Sequence, residues 1–263
     1  MTIGIINQKG GVGKTTTCIN LASSLSLAEK KVLLVDVDPQ ANSTTGLGVE
    51  DHREKEGVYE VILGKKKAKE VIIPLKEIPG LYLLPSSPRL AGATIELASL
   101  PKRESRLKES LEEVKDEYDY ILLDAPPSLG ILTINVLVAS EKIIIPIQCE
   151  YYALEGLGSL LETVELVKAR LNPGLTERRI LLTMYDSRTN LSEEVAQEVR
   201  EFFGKEVFRT IIPRNIRLAE APGFGKPIFL YDPRCRGAES YIELCREILA
   251  DSRKKEGFRR SKR

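Results

Sequence analysis

The chain of 263 residues has no tryptophan, one histidine and four cysteines. Cys18, Cys149, Cys235 and Cys245 lack the C-x-x-C spacing typical of metal sites, so we interpret them as isolated thiols. His52 lies among charged residues, which disfavours histidine-based catalysis and zinc binding. No run of about 18 apolar residues is present, so no membrane-spanning helix is predicted. The candidate functional residues are therefore glycines, lysines and aspartates.

Positive and negative charges nearly cancel over the whole chain but are unevenly placed. There are 39 Lys and Arg residues against 38 Asp and Glu residues, a formal net charge of +1, yet residues 251–263 carry +5. A chain of this length can bury a substantial core. We therefore expect a single domain over residues 1–250 and a basic C-terminal tail over residues 251–263. An ordinary solvated terminus is the alternative for that tail.

A glycine-rich loop follows the first apolar segment. Residues 8–16 read Gln-Lys-Gly-Gly-Val-Gly-Lys-Thr-Thr. Glycines let backbone N–H groups turn toward phosphate oxygens, and a following helix N-terminus adds its positive end. The setting favours a phosphate-binding loop over a glycine turn with solvated lysines. We expect nucleotide binding by Lys9, Gly10, Gly11, Val12, Gly13, Lys14, Thr15 and Thr16. The early position of the loop leaves no room for a signal peptide, so a cytoplasmic protein is expected.

This loop carries two lysines where an ordinary phosphate-binding loop needs one. Lys14 is expected to reach the β/γ-phosphates, and the Thr15 hydroxyl to bind Mg²⁺. The first glycine of the strict pattern G-x-x-x-x-G-K-[ST] is replaced by Gln8, and Lys9 adds a second cation. Because Lys14 serves the bound nucleotide, Lys9 is free to serve another.

Three aspartates follow two apolar segments. Residues 31–40 end in Asp36 and Asp38, and residues 118–127 contain Asp124 at the end of an apolar run. Open α/β sheets collect ligands at the carboxyl ends of their strands. We expect Asp124 to hold Mg²⁺ through water, Asp36 to support the metal site, and Asp38 to orient the attacking water. The alternative, that these acids only terminate strands, is weaker for three of them beside a phosphate loop.

Apolar runs alternate with amphipathic segments along the chain, which predicts an α/β fold with a mostly parallel central sheet flanked by helices. Strands are predicted at 2–7, 31–36, 81–84, 119–124, 142–147, 179–184 and 207–211. Helices are predicted at 15–28, 56–63, 88–98, 103–116, 130–140, 153–170, 191–203, 215–221 and 237–251.

Four blocks together resemble one family. Lys-Gly-Gly-Val-Gly-Lys-Thr at 9–15, Asp-Val-Asp-Pro-Gln at 36–40, Ile-Leu-Leu-Asp-Ala-Pro-Pro at 121–127 and Pro-Arg-Asn-Ile-Arg-Leu-Ala-Glu-Ala-Pro at 213–222 resemble the ParA/Soj chromosome-partitioning ATPases. These belong to the P-loop NTPases with a deviant Walker A motif, together with MinD and the nitrogenase iron protein. The resemblance implies a central position for the strand before the P-loop.

The resemblance also implies a function. Members bind ATP with Mg²⁺, form a face-to-face homodimer around two nucleotides, and bind DNA without sequence preference as that dimer. The lysine matching Lys9 crosses to the partner's nucleotide, so the implied catalytic set is Asp38, Lys9 and Lys14. Hydrolysis, stimulated by a ParB/Spo0J-type partner, releases the dimer from DNA. We therefore expect a chromosome-segregation ATPase that associates with the nucleoid when ATP is bound.

A second segment is expected to contact the base. Pro213 and Asn215 match the family segment at adenine, and an amide side chain can both donate and accept at a base edge. The alternative is a proline turn with Asn215 as the N-cap of the next helix.

DNA contact is expected from cations in loops or helix starts after strands. Several such cations on one face of a dimer would contact phosphates without reading bases. The candidates are Arg188, Arg214, Arg217 and Lys226.

Other uses of the same fold remain open. A MinD-like ATPase that cycles on a membrane is the main alternative, but the C-terminus offers only Phe258 to insert and Gly257 to interrupt a helix, so no membrane partner is expected. An iron–sulfur protein needs bridging cysteines that Cys235 and Cys245 do not match. A kinase is disfavoured by the lack of a tyrosine-rich tail.

Overall fold

The computed structural model describes residues 1–49, 51 and 55–260, and side chains as far as residue 252. His52 lies outside the described residues. The strands are β1 Thr2–Ile5, β2 Val32–Asp36, β3 Ile73–Pro74, β4 Leu81–Leu84, β5 Tyr120–Asp124, β6 Lys142–Gln148 and β7 Glu177–Thr183. The α-helices are α1 Lys14–Leu27, α2 Asn42–Gly46, α3 Val58–Ile62, α4 Ala68–Val71, α5 Leu90–Ala98, α6 Arg106–Leu111, α7 Ile131–Ala139, α8 Leu157–Arg170, α9 Asn190–Phe203, α10 Ile216–Glu220, α11 Ile228–Tyr231 and α12 Arg236–Arg260.

The strands form one sheet in the order β3-β4-β2-β5-β1-β6-β7. Every pairing is parallel except that of β3 with β4. The predicted α/β fold with a mostly parallel sheet is confirmed. Strand β1, which leads into the phosphate loop, lies between β5 and β6 and is therefore one strand away from the central position that the resemblance implied.

Apolar strands are buried on both faces of this sheet. In β2, Leu33 and Val35 belong to one hydrophobic core, whereas Val32 and Leu34 belong to the other. Successive side chains of a strand point to opposite faces, so a continuous apolar run supplies both cores. One face is covered by α3–α9, and the other by α1 and α10–α12.

The predicted strand at 207–211 is wrong. In the described residues this region forms two isolated bridges in place of a strand, one from Val207 to Ile180 in β7 and one from Pro213 to Tyr185, two residues beyond β7. Between them, the N–H groups of Arg209 and Thr210 donate to the carboxylate of Glu247 on α12, at 3.0 and 3.2 Å. A side chain from a distant helix thus takes the place of a neighbouring strand. The sequence prediction also missed β3, a two-residue edge strand that contains a proline.

The last helix is longer than predicted. It continues through Gly257 to Arg260, so most of the proposed basic tail is helical backbone. Asp251 at the expected boundary accepts from Arg179 at 2.5 Å, and Arg179 also binds Glu247 at 3.2 Å. These ion pairs anchor the middle of α12 to β7. No helix within the described ranges has the length and apolar character needed to cross a bilayer.

Candidate nucleotide-binding site

The loop between β1 and α1 is built to receive an anion. Gly11 and Gly13 have φ values of 75° and 90°, a left-handed conformation that favours glycine. Gly13 caps α1 without a side-chain hydrogen bond, and the first turn of α1 contains no acidic residue. The first N–H groups of this 14-residue helix therefore remain available to phosphate oxygens.

Lys14 lies inside this loop. Its side chain is buried, and its Nζ donates to the carbonyl oxygen of Lys9 at 2.9 Å. Burial lowers the pKa of Lys14, and the charges of Asp124 and Asp38 partly oppose that shift. A desolvated ammonium gains from an added anion. The position predicted for the phosphate-binding lysine is therefore electrostatically prepared for phosphate.

Lys9 extends away from Lys14. Its Nζ donates to the carbonyl oxygen of Tyr152, at 3.2 Å, in the loop between β6 and α8. Gly10 and Gly11 are exposed, and a Cβ atom added at either glycine would meet nothing within 4 Å. This end of the loop is open to a second molecule. The two lysines therefore occupy separate positions in one loop.

Asp36 and Asp124 lie side by side at the carboxyl ends of β2 and β5, where the strand register pairs them. Asp36 Oδ2 accepts from the N–H and the hydroxyl of Thr44, at 2.8 and 2.7 Å. Asp124 Oδ2 accepts from the hydroxyl of Ser43 at 2.7 Å. The hydroxyls therefore fix both carboxylates in buried positions.

Burial raises the pKa of both carboxyl groups. The charge of Asp124 adds to the effect at Asp36, and hydrogen bonds from Thr44 oppose it. At Asp124 the hydroxyls of Ser43 and Thr15 oppose burial. Two buried acids in contact favour at least one bound proton, or a cation, between them.

The buried acids fit the expected Mg²⁺. Within the described part of the chain, Asp124 Oδ1 is buried and has no partner with hydrogen-bonding geometry. A water molecule on Mg²⁺ could donate to this oxygen, and Thr15 is close enough to affect the same carboxyl group. No cluster of three His, Cys, Asp or Glu side chains in the described residues could hold a metal alone. This pattern suits an ion held mainly by phosphate oxygens and water.

Asp38 begins the loop that leads to α2. It is buried, its Oδ1 accepts from the N–H of Gln40 at 2.9 Å, and its own N–H donates to Asp36 Oδ1 at 3.2 Å. Its charge acts on Lys14. The structure therefore brings Asp36, Asp38 and Asp124 together beside Lys14.

The raised pKa values predict a pH dependence of stability in the nucleotide-free chain. An unfolded aspartate titrates near pH 4, so above that pH Asp36 and Asp124 hold more protons in the folded chain than in the unfolded chain. The contribution of these two groups to the free energy of unfolding should therefore fall as the pH rises from about 4 toward neutrality. Asp36→Asn should reduce the fall between about pH 5 and pH 8 by more than about 1.4 kcal/mol, the equivalent of one pKa unit.

Urea unfolding at each pH measures this effect. The matched control is Asp116→Asn, which removes one carboxylate from the exposed surface instead of from the buried site. Identical profiles for the original chain and Asp36→Asn would contradict a protonated carboxyl at this place.

A cavity of about 290 Å³ adjoins the phosphate loop. It brings predicted residues Gly13, Thr16, Pro213 and Asn215 together, although the last two lie about 200 positions from the loop in sequence. Pro213 and Asn215 therefore lie where a base attached to bound phosphates would be held. Additional lining residues that the sequence prediction missed are Thr183, Met184, Ile212, Ile216, Leu218, Ala219 and Tyr241.

Asn215 also caps a helix. Its Oδ1 accepts from the N–H of Leu218 at 3.3 Å, as the N-cap alternative predicted. Within the described residues its Nδ2 has no hydrogen-bond partner. The amide can therefore donate to a base while its oxygen remains committed to α10.

Two of the missed residues had a weak signal in the sequence. The hydroxyl of Thr183 donates to the carbonyl oxygen of Val12 at 2.9 Å and so ties β7 to the phosphate loop. Met184, the next residue, has a φ of 52°, which is uncommon for a residue with a side chain. Both lie at the carboxyl end of β7, as the three aspartates lie at the ends of β2 and β5, and that position is the signal.

The four cations expected to contact DNA are exposed, but three have carboxylate partners. Arg188 binds Asp186 at 2.7 Å, Arg214 binds Glu150 at 2.8 Å and Arg217 binds Glu220 at 2.9 Å. Lys226 has no ion pair among the described residues. Arg188, followed by Arg214, lowers the pKa of Asp186, so these two arginines surround one carboxylate. Exposed ion pairs are weak enough to be exchanged for phosphate.

Comparison with known proteins finds similarity along nearly the whole chain. A family model described as an AAA domain matches residues 1–177. The sporulation initiation inhibitor protein Soj of Bacillus subtilis is 53% identical over 95% of this chain and 98% of that protein. The chromosome partitioning protein ParA of Myxococcus xanthus is 52% identical over 94% of this chain and 87% of that protein.

Solved structures agree in fold. Cobyrinic acid a,c-diamide synthase from Mycobacterium smegmatis, with bound ADP and magnesium, has a TM-score of 0.82 and 35% identity, covering 94% of this chain and 93% of that chain. The cell division ATPase MinD of Pyrococcus furiosus has a TM-score of 0.77 and 27% identity, covering 95% and 98%. The likeness therefore extends over nearly the whole chain.

Proposed function

Since the chain belongs to the Soj and ParA family of chromosome-partitioning ATPases, we propose that ATP makes it pair face to face and bind DNA, and that hydrolysis releases it. Related structures contain ADP or an ATP analogue with magnesium, which supports the same ligands here. The remaining steps are argued from the chain's own residues.

The observation that carries this proposal is the separation of the two loop lysines. Lys14 points into the loop, whereas Lys9 reaches the carbonyl oxygen of Tyr152 beside exposed Gly10 and Gly11. In a two-fold symmetric pair, Lys9 of each protomer would exchange this carbonyl for the phosphate of the other protomer's nucleotide. A charge-assisted hydrogen bond is stronger than a neutral one, so the pair forms when ATP is present.

The three aspartates and the phosphate loop have different roles in the proposed reaction. Lys14 and the N-terminus of α1 hold the phosphates, while Thr15 and Asp124, supported by Asp36, would hold Mg²⁺. Bound Mg²⁺ would neutralise phosphate charge. Asp38 accepts a hydrogen bond from the attacking water and orients it toward the γ-phosphate. Loss of that phosphate weakens the Lys9 contact and opens the dimer.

The base is held at the far end of the cavity. Asn215 Nδ2 donates to a ring nitrogen of adenine, because its Oδ1 is used by Leu218. Pro213 supplies an apolar surface beside the ring.

The dimer contacts DNA through Arg188, Arg214, Arg217 and Lys226 from both protomers. These side chains bind backbone phosphates, so recognition is independent of base sequence. The ATP-bound chain would therefore associate with the nucleoid until a ParB/Spo0J-type activator stimulates hydrolysis.

DNA affinity measured against salt tests this proposal. If about three of the four cations on each protomer neutralise a phosphate, log affinity should fall with log salt with a slope of about −5 in ATP. Binding should be much weaker in ADP or without nucleotide. Fluorescence anisotropy with a DNA duplex, run beside analytical sizing, measures both affinity and oligomeric state.

Two lysine variants test which surface of the protein contributes to the salt dependence of DNA binding. Lys226→Ala should weaken binding and make the slope shallower by about 2 units, one for each protomer. Lys108 lies on α6, which packs against the other face of the sheet, so Lys108→Ala should leave the slope unchanged. A slope near zero in ATP would contradict phosphate contact. Capture by anionic vesicles in place of DNA would favour a MinD-like cycle.

A further inference from the structure

The loop that carries Asp38 is anchored by a residue from the neighbouring strand. Ser86 lies two residues beyond the end of β4, and its Oγ donates to the carbonyl oxygen of Asp38 at 2.7 Å. Strands β2 and β4 run parallel, with Val35 opposite Leu84, so the two chain segments leave the sheet at the same edge. Ser86 is only 2% exposed, so water does not compete for this bond.

Ser86 also joins the hydrogen bonds around Asp36. Its N–H donates to the Thr44 hydroxyl oxygen at 3.0 Å, and the Thr44 hydroxyl donates to Asp36 Oδ2 at 2.7 Å. One residue thus binds the Asp38 loop through its side chain and the Asp36 site through its backbone. Every partner in this chain of bonds is buried.

The anchored turn has a backbone that needs support. The Asp38 carbonyl oxygen accepts from the N–H of Ala41 at 2.9 Å as well as from Ser86. Ala41 has a φ of 54°, in the left-handed region that residues with side chains rarely adopt. Such a conformation persists when the surroundings hold it in place. Loss of the Ser86 hydroxyl would let the turn relax and redirect the carboxylate.

We propose that Ser86 is a positioning residue for ATP hydrolysis, fixing the backbone of Asp38 so that its carboxylate meets the attacking water. This inference rests on the role proposed for Asp38. Ser86 touches neither nucleotide nor water in this scheme, so its whole effect passes through Asp38. Small errors in the position of a group that orients a nucleophile reduce the rate strongly.

Ser86→Ala tests the anchor, and Ser87→Ala is its matched control. Both serines are buried, but within the described residues the Ser87 side chain has no hydrogen-bond partner. We expect Ser86→Ala to lower kcat about tenfold, with the KM for ATP within about twofold of the original value. Ser87→Ala should leave both constants unchanged. Equal kcat values for Ser86→Ala and Ser87→Ala would overturn the proposal.

A double-mutant cycle with Asp38→Ala separates positioning from a general loss of stability. If Ser86 acts through the Asp38 carboxylate, adding Ser86→Ala to Asp38→Ala should not lower single-turnover hydrolysis further. A further tenfold loss in the double variant would show an independent effect and overturn the inference. A normal rate for Asp38→Ala alone would instead refute the proposed role of Asp38.

Ser86→Cys provides a second route if the alanine variant does not fold. The thiol fills similar space but donates only weakly, so kcat should fall while ATP binding and thermal unfolding stay close to those of the original chain. If Ser86→Cys kept the original kcat while Asp38→Ala hydrolysed ATP slowly, the proposal that Ser86 positions Asp38 would be overturned.

Discussion

Asp38→Ala should lower ATP turnover at least about 100-fold while leaving the affinity for ATP within about twofold, because it removes the group that orients water and leaves the phosphate loop intact. The surrounding turn should persist. The backbone N–H of residue 38 donates to Asp36, and its carbonyl oxygen accepts from Ser86. Both hydrogen bonds involve the backbone, so they remain in the variant. Among the described residues, the hydrogen bond that the substitution removes is the one from the N–H of Gln40 to the carboxylate.

The consequence for DNA is as informative as the rate. Because the variant binds ATP and hydrolyses it slowly, its dimer should stay on DNA after free ATP is removed. Phosphate release in single-turnover conditions and the lifetime on an immobilised duplex measure the two effects. Asp38→Asn is the matched control for shape, since it keeps an acceptor for Gln40 but loses the charge. Turnover like that of the original chain would remove Asp38 from its role.

Lys9→Ala should abolish ATP-dependent dimerisation with little effect on ATP binding by the monomer. Each charge-assisted contact contributes about 1.5–3 kcal/mol, and symmetry doubles it. The expected loss of about 3–6 kcal/mol weakens the dimer by roughly 10² to 10⁴. Sedimentation in ATP, with Asp38→Ala in the background to prevent hydrolysis, measures the dimer directly.

A second substitution in the same loop tests the interface by shape instead of charge. The position of a Cβ at Gly10 has no atom of its own chain within 4 Å, so Gly10→Val should fold and bind ATP as a monomer. Its branched side chain should then obstruct the approach of a partner. A full ATP dimer formed by Lys9→Ala would refute the contact across the interface, and a normal dimer in Gly10→Val would argue that the loop faces solvent.

The sheet could be predicted because its strands have a local signature. A segment such as 32–36 is apolar at every position up to its aspartate, and burial on both faces is the arrangement that suits it. The segment 207–211 is apolar at Val207, Phe208 and Ile211, yet the N–H groups of its two polar residues donate to Glu247 on α12. No local pattern reveals a hydrogen bond to a residue 37 positions away.

The candidate site also combines features that could be predicted from the sequence with features that only the structure shows. The phosphate loop is one continuous motif, so its lysines and glycines could be identified from spacing alone. Asn215 could be placed only as a base contact or an N-cap, and the structure shows that its oxygen caps α10 while the residue also lines the cavity. The roles are compatible because one amide has both a donor and an acceptor.

By itself, the sequence determined the α/β fold, the phosphate loop with its second lysine, and the aspartates at the strand ends. These features follow from short-range order: apolar runs, glycine conformations and residues adjacent in the chain. Only the tertiary structure decided that Lys9 binds the carbonyl oxygen of Tyr152, that one Asp124 oxygen has no hydrogen-bond partner among the described residues, and that Ser86 holds the Asp38 turn. Those contacts join segments that meet because parallel strands bring their carboxyl ends to one edge, and their partners are far apart in sequence.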